Sequence, residues 1–195
     1  MNSTYFARDA SKKMKADTFV EKELLQAAQR FDQKALGQIY DLYSPELYRY
    51  AIRFLGDPCT AEDCLADTFS RFLKAIYTRH GPQDYLRAYL YRIAHNWIAD
   101  YYRRTPDVTE LKETQPCIGN SPEQEADLRM RQAQMRKAIL QLTSDQQQVI
   151  AFKFLQGWNN HEVAHALQKP VGAVKSLQHR ALASLKKILE KEKIV

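Results

Sequence analysis

His161-Glu162-Val163-Ala164-His165 has the spacing H-E-x-x-H, in which two histidines one helical turn apart bind zinc and the glutamate activates water. The extended form of that motif wants glycine at position 168 and histidine at 171, where this chain has Gln168 and Val171. The surrounding domain is also too small to enclose a peptide cleft. Zinc hydrolysis through His161, Glu162 and His165 therefore stands as a remote alternative. Cys64 with His95 is weaker still as a nucleophilic pair, because no third group is in view to orient it. The expectation is a protein that is not an enzyme, with no catalytic residue, no resident metal and no cofactor.

Binding chemistry is better supported. At about 100° per residue, the stretch Val171–Lys187 gathers Val174, Leu177, Ala181, Leu185 and Ile188 on one stripe. Lys175, Ser176, His179 and Arg180 fall opposite, with Lys186 and Lys187 beyond them. One face packs; the other is cationic and rich in hydrogen-bonding groups. A major-groove helix needs that pairing, since cations neutralise phosphates and short polar side chains read base edges. Just before it, Glu162, Val163, Ala164 and Leu167 form a short helical pattern ending at Gln168-Lys169-Pro170. Proline lacks a backbone donor and biases its predecessor away from the helical region, so the break predicts a helix-turn-helix.

A second binding face lies earlier. In the helix expected from Tyr85 to Arg104, Leu86, Leu90, Ile93, Trp97 and Tyr101 form an inward arc. Tyr85, Tyr89, Arg92, His95, Asn96, Tyr102 and Arg103 fall on the other side, beside a loop, Tyr77 to Asp84, that holds Arg79 and His80. Aromatic rings interleaved with arginines make a platform for unstacked bases and their phosphates. Each stacked base is worth about 1–3 kcal/mol, so two or three rings would hold a melted strand. Tyr91 and Tyr102 are equally suited to closing the bundle with their hydroxyls at its surface.

These elements need a scaffold, and the rest of the chain predicts one. After a polar arm, a helix is expected from Thr18 with Asp17 as its cap, followed by Lys34 to Leu55 with a kink or restart at Ser44-Pro45. Thr60 is expected to cap a third helix to Ile76, with Ala61, Leu65, Phe69, Phe72 and Ile76 inward and Asp63, Asp67, Ser70 and Lys74 outward. Residues 105–122 are rich in proline and acids and predict a flexible linker. Beyond it, Thr143 to Gln147 offers a capping box for a helix running to Gly157. No segment alternates as a strand, so the fold expected is all-α: a domain over 17–104, a linker, and a small domain over 123–195 containing the helix-turn-helix.

Composition sets the frame. With 45% hydrophobic residues in 195, the chain can bury one large or two small cores. Its net charge of +6 suits a polyanionic partner. Three cysteines, Cys59, Cys64 and Cys117, without C-x-x-C spacing indicate neither a disulfide framework nor a thiolate zinc site. With no apolar run of spanning length, a cytoplasmic protein without membrane insertion is expected.

The order of parts resembles bacterial sigma factors of the extracytoplasmic-function group. AEDCLADTF at Ala61 to Phe69 is similar to the family's polymerase-clamp docking region, and LRAYLYRIAHNWIADYYRR at Leu86 to Arg104 to its melting and minus-ten-reading helix. LTSDQQQVIAFKFLQGW and EVAHALQKPVGAVKSLQHRAL resemble the region that reads the minus-thirty-five element. Some positions depart from the family pattern: Ala66 and Asp67 replace glutamine and glutamate, Tyr89 replaces tryptophan, His95 replaces arginine, and Gln168 replaces the turn glycine. The resemblance implies a subunit that binds core RNA polymerase through Asp63, Asp67 and Ser70. Lys175, Ser176, His179 and Arg180 would read the minus-thirty-five element. Arg79, His80, Tyr85, Tyr89, Arg92, His95, Asn96 and Arg103 would hold the minus-ten element and melted strand. An anti-sigma factor that occludes these surfaces is common in the family, and nothing in the chain identifies one. The alternative from a different class is a stand-alone helix-turn-helix regulator.

Overall fold

The computed structural model describes residues 21–105 and 122–192, all of whose regular elements are helical. The N-terminal arm, the Asp17 cap and nearly all of the expected linker lie outside the described residues. Helix α1 covers residues 21–28. Helix α2 (Gln33–Leu55) starts where the Asp32 carboxylate accepts from Ala35 N at 3.0 Å. It ends at Gly56, whose φ of 74° suits a residue without Cβ. Of the kink or restart expected at Ser44-Pro45, the restart does not occur: the helix runs through Pro45. Pro45 itself is exposed, while Tyr43 and Leu47 on either side are both buried in the same core. Packing of one continuous stripe, Ile39, Tyr43, Leu47, Tyr50 and Phe54, outweighs the missing hydrogen bond.

Helix α3 (Pro58–Tyr77) begins two residues before the expected Thr60. The cap is Asp57, whose carboxylate accepts from both the backbone N and the hydroxyl of Thr60, with Pro58 set at the first helical position. Helix α4 (Leu86–Arg104) packs against α2 and α3 to close the N-terminal unit.

The C-terminal unit comprises α5 (Pro122–Leu140), α6 (Ser144–Ile150), a π-helical turn Ala151–Leu155, α7 (Asn160–Leu167) and α8 (Val171–Glu192). Gln146 reaches back to accept from Thr143 N at 3.2 Å, as the capping-box pattern predicts. The π turn was not legible in the sequence; it is marked by Gln156 N donating to Ala151 O at 3.1 Å. The turn between α7 and α8 places Gln168 at φ 53°, ψ 42°, the left-handed conformation that glycine adopts most readily.

The two units share one continuous core. Tyr50 from α2, Tyr91 and His95 from α4, and Phe152 and Trp158 from the C-terminal unit meet there, Tyr50–Tyr91 and Tyr91–Trp158 edge to face with ring centroids 5.1 Å apart. His95 lies at this seam, 1% exposed, with Nδ1 hydrogen-bonded to the Tyr50 hydroxyl at 2.7 Å. Burial drives its pKa down to about 4, so the folded protein holds it neutral.

This packing makes stability depend on pH. An unfolded histidine titrates near 6.5, so acidification charges the unfolded chain first. Stability should be full above about pH 6.5 and fall by roughly 1.4 kcal/mol per pH unit on descending toward pH 4. Urea melts of wild type and His95→Gln across that range check this, the variant losing that slope. Replacing Gln168 by glycine should raise stability by about 0.5–1 kcal/mol, since glycine adopts the left-handed turn without a Cβ clash; a lower urea midpoint at unchanged slope would contradict it.

Candidate nucleic-acid interface

On α8 the stripe Val174, Leu177 and Ala181 is buried, at 7% exposure or less. Lys175, Ser176, His179 and Arg180 are all exposed on the other side. Ser176 donates its hydroxyl to Gly172 O at 3.2 Å, an i−4 back-bond that leaves the oxygen free to accept. The supporting helix α7 is held by a reciprocal cap: Asn159 Oδ1 accepts from His161 N and Glu162 N, and Glu162 Oε2 accepts from Asn159 N at 2.7 Å. Lys169 pairs with Asp145 at 3.1 Å, fastening the turn to the start of α6. The cationic ridge is thus presented by a braced turn rather than a free helix.

The same cap accounts for the glutamate of the H-E-x-x-H spacing. Glu162 is occupied as a capping carboxylate, and the His165 ring lies 3.5 Å from that of Tyr85, 14° from parallel. Among the described residues no group of three His, Cys, Asp or Glu is poised to hold a metal ion. The Cys64 thiol points to Ala94 O at 3.7 Å and burial pushes its pKa up to about 12, which removes the thiolate a nucleophile requires.

The loop between α3 and α4 and the start of α4 supply a second surface. Arg79 and His80 are exposed, Arg79 with φ 58°. Tyr85 also takes the left-handed conformation, φ 51°, and offers no side-chain cap to α4. Glu21 supplies one from α1 instead, its carboxylate accepting from Arg87 N at 3.1 Å. Tyr89 is half-buried and carries the Arg92 guanidinium 5.3 Å above its ring. His80, Tyr85, Tyr89 and Arg92 come together along one wall of a cleft of about 610 Å³. The opposite wall is His165, Gln168 and Lys169 of the helix-turn-helix. Sequence reasoning missed this wall because packing between units leaves no mark in local periodicity.

Arg79, Asn96 and Arg103 lie outside that cleft. Asn96 is exposed and accepts from Gln148 Nε2 at 3.4 Å, while Arg103 pairs with Asp100 at 3.1 Å. His95 requires a correction: expected on the exposed side, it is buried, because α4 is covered on two flanks. The second flank, Tyr91, His95 and Ile98, faces α2 and the C-terminal unit. Tyr91 is likewise wholly buried. Trp97 and Tyr101, expected inward, are half-buried and stacked on each other at 5.6 Å and 8°.

On α3, Asp63, Asp67 and Ser70 come at helical spacing on the outer face. Asp63 and Ser70 are exposed, and Asp67 is paired with Arg71 one turn on.

Residues 39–106 match the family model described as sigma-70 region 2, and residues 138–187 that described as sigma-70 region 4. The chain is 33% identical over 171 residues to the ECF RNA polymerase sigma factor BldN of Streptomyces coelicolor, covering 86% of this chain and 65% of BldN. It is 28% identical to the ECF sigma factor SigX of Bacillus subtilis, covering 78% of this chain and 82% of SigX. The solved structure of CnrH in complex with the cytosolic domain of CnrY has the same fold, with a TM-score of 0.62 at 24% identity, covering 88% of this chain and 98% of that one. These matches do not favour a stand-alone regulator, since both regions are present and in order. With region 2 on the aromatic helix and region 4 on the braced helix-turn-helix, the chain belongs to the sigma-70 family of RNA polymerase sigma factors, in its extracytoplasmic-function group.

Proposed function

We infer that this protein is a promoter-specificity subunit that binds core RNA polymerase and directs it to promoters bearing two sequence elements. The observation that carries the reading is the row Lys175, Ser176, His179 and Arg180, exposed on the face of α8 opposite its buried stripe. Inserted in a major groove, Lys175 and Arg180 would meet phosphates or guanine edges, and Ser176 and His179 would donate and accept at base edges. The minus-ten contact falls to Arg79, His80, Tyr85, Tyr89, Arg92, Asn96 and Arg103, with aromatic faces for extruded bases and guanidinium groups for their phosphates. His95 supports this surface from within rather than touching DNA. Asp63, Asp67 and Ser70 on α3 would dock on a basic surface of the polymerase.

The chain acts by binding and carries no catalytic group of its own. No helix among the described residues is long and apolar enough to cross a membrane, and the site of action is the cytoplasm, where polymerase and chromosome lie. One solved neighbour, the sigma factor RpoE, is in complex with the anti-sigma factor NepR from Bartonella quintana. A partner that covered both surfaces proposed here for DNA would silence this protein.

Transcription in vitro with core polymerase from the native host and a promoter-fragment library tests the reading: protein-dependent starts are expected, and their absence with a competent core counts against it. Arg180→Ala should weaken use of the upstream element by about 5–100-fold, the equivalent of about 1–3 kcal/mol, while core binding is unchanged. Equal loss of both would show the roles to be misassigned.

A further inference from the structure

Three of the residues proposed to hold the melted strand, Arg79, His80 and Tyr85, sit on one loop, residues 78–85, between α3 and α4. Two of them, Arg79 (φ 58°) and Tyr85 (φ 51°), adopt the left-handed backbone conformation that a residue with a Cβ enters only against a steric penalty. A loop of that kind keeps its shape only where its surroundings hold it.

Helix α1 and the turn after it supply three such holds, spread along the loop. Beyond the C-terminal end of α1, the Phe31 ring meets Tyr77 edge-on at 6.0 Å, where α3 gives way to the loop. Two residues earlier, the Gln29 amide donates to Pro82 O at 2.9 Å in the middle of the loop. At the far end, Glu21 Oε1 accepts from Arg87 N at 3.1 Å where the loop enters α4, and the buried Tyr43 hydroxyl donates to the same carboxylate. Both hydrogen bonds from α1 end on backbone groups, so they fix the course of the loop and leave its side chains to other partners. The brace is itself anchored, with Leu25 and Ala28 at 1% exposure or less in the common core. None of its residues is among those proposed to touch DNA or polymerase, and it lies ahead of the stretch that matches sigma-70 region 2.

We propose that α1 is a splint for the strand-holding loop, with Glu21 and Gln29 as positioning residues: they touch no base, and they fix the loop and the first turn of α4 in the shape that receives one. What the loop does rests on the promoter reading, whereas the splinting is measurable in the free protein. A loop already held in its receiving shape loses little freedom on capturing extruded bases, and Arg79, His80 and Tyr85 are placed alike at every encounter.

Amide exchange of the free, full-length protein, followed by NMR, reads the splint. Glu21→Ala with Gln29→Ala should speed exchange at the Arg87 amide by about tenfold or more, with the circular dichroism spectrum and the exchange of α2 and α3 unchanged. Glu21→Gln, whose amide oxygen still accepts, should keep the Arg87 amide protected. Transcription by core polymerase with each variant, from promoters recovered with the fragment library and from copies with single base changes in the minus-ten element, reads the consequence. The double variant should discriminate against those changes about tenfold less well than the parent, with core affinity and use of the upstream element within about twofold, and Glu21→Gln should behave as the parent. A merely structural role would lower core binding, upstream use and minus-ten use together, and that result overturns the proposal. So does an Arg87 amide whose exchange the double variant leaves unchanged, or a loosened loop that discriminates as well as the parent. If the double variant does not fold, Gln29→Ala alone is held to the same transcription readout and to exchange across residues 78–87. Absence of polymerase-dependent starts from the parent sinks the promoter reading alone, and the exchange result then decides whether α1 splints the loop.

Discussion

An uncharged imidazole holds the centre of this molecule. His95 is enclosed by Tyr50, Phe54 and Phe152, rings drawn from α2 and from the C-terminal unit, with a single hydrogen bond to the Tyr50 hydroxyl. A permanent cation there would need a buried counter-charge, and none is provided; histidine can be buried because it can shed its proton. Once it does, the surroundings can be wholly aromatic, and α2, α4 and the π-helical turn converge on one cluster. Histidine at this position thus lets α4 serve as a core helix on a flank that a permanent cation would have kept wet.

Around that cluster the polar groups are arranged in a ring. Glu46 accepts from Arg87 at 2.9 Å, Arg87 lies over Trp158, and Tyr91 touches both Glu46 and Gln156. Burial raises the pKa of Glu21 and of the Tyr43 phenol beside it. Each group finds its partner on another element, so the network orients α1, α2 and α4 relative to one another more than it adds net stability. The cationic ridge on α8 sits far from this ring in character: it is exposed, with Val174, Leu177 and Ala181 buried beneath it and Leu185 and Ile188 packed on the core further along. One of the two surfaces proposed to meet DNA is therefore exposed as folded, while part of the other lines the seam between the units.

What could be read from the chain beforehand was whatever is local. Three-and-four spacing located α2, α3, α4 and α8, and the Thr143–Gln146 pair and Pro170 marked the ends of elements correctly. Competing local signals were harder. Pro45 looked like a break until two buried flanks overruled it, and Asp57 took the cap from Thr60 because Pro58 starts the helix two residues earlier. The largest departure, His95, was invisible for a different reason. A helical wheel distinguishes a buried side from an open one only when the helix has a single neighbour, and α4 has several. The cleft's second wall and the Glu21 cap of α4 were hidden likewise, since both join residues far apart in the chain.

The π-helical turn at Ala151–Leu155 carries a consequence for how such chains vary in length. A wide turn of this kind accommodates one extra residue in an otherwise α-helical run, and each residue rotates the downstream chain by about 100°. Phe152 within that turn and Trp158 just beyond it both meet the Tyr91 ring. Deleting a single residue here would regularise the backbone and leave both flanking hydrophobic patterns intact, yet turn the helix-turn-helix by more than a quarter revolution against its neighbour. The number of residues at this spot thus sets the orientation of the helix-turn-helix more directly than their types do.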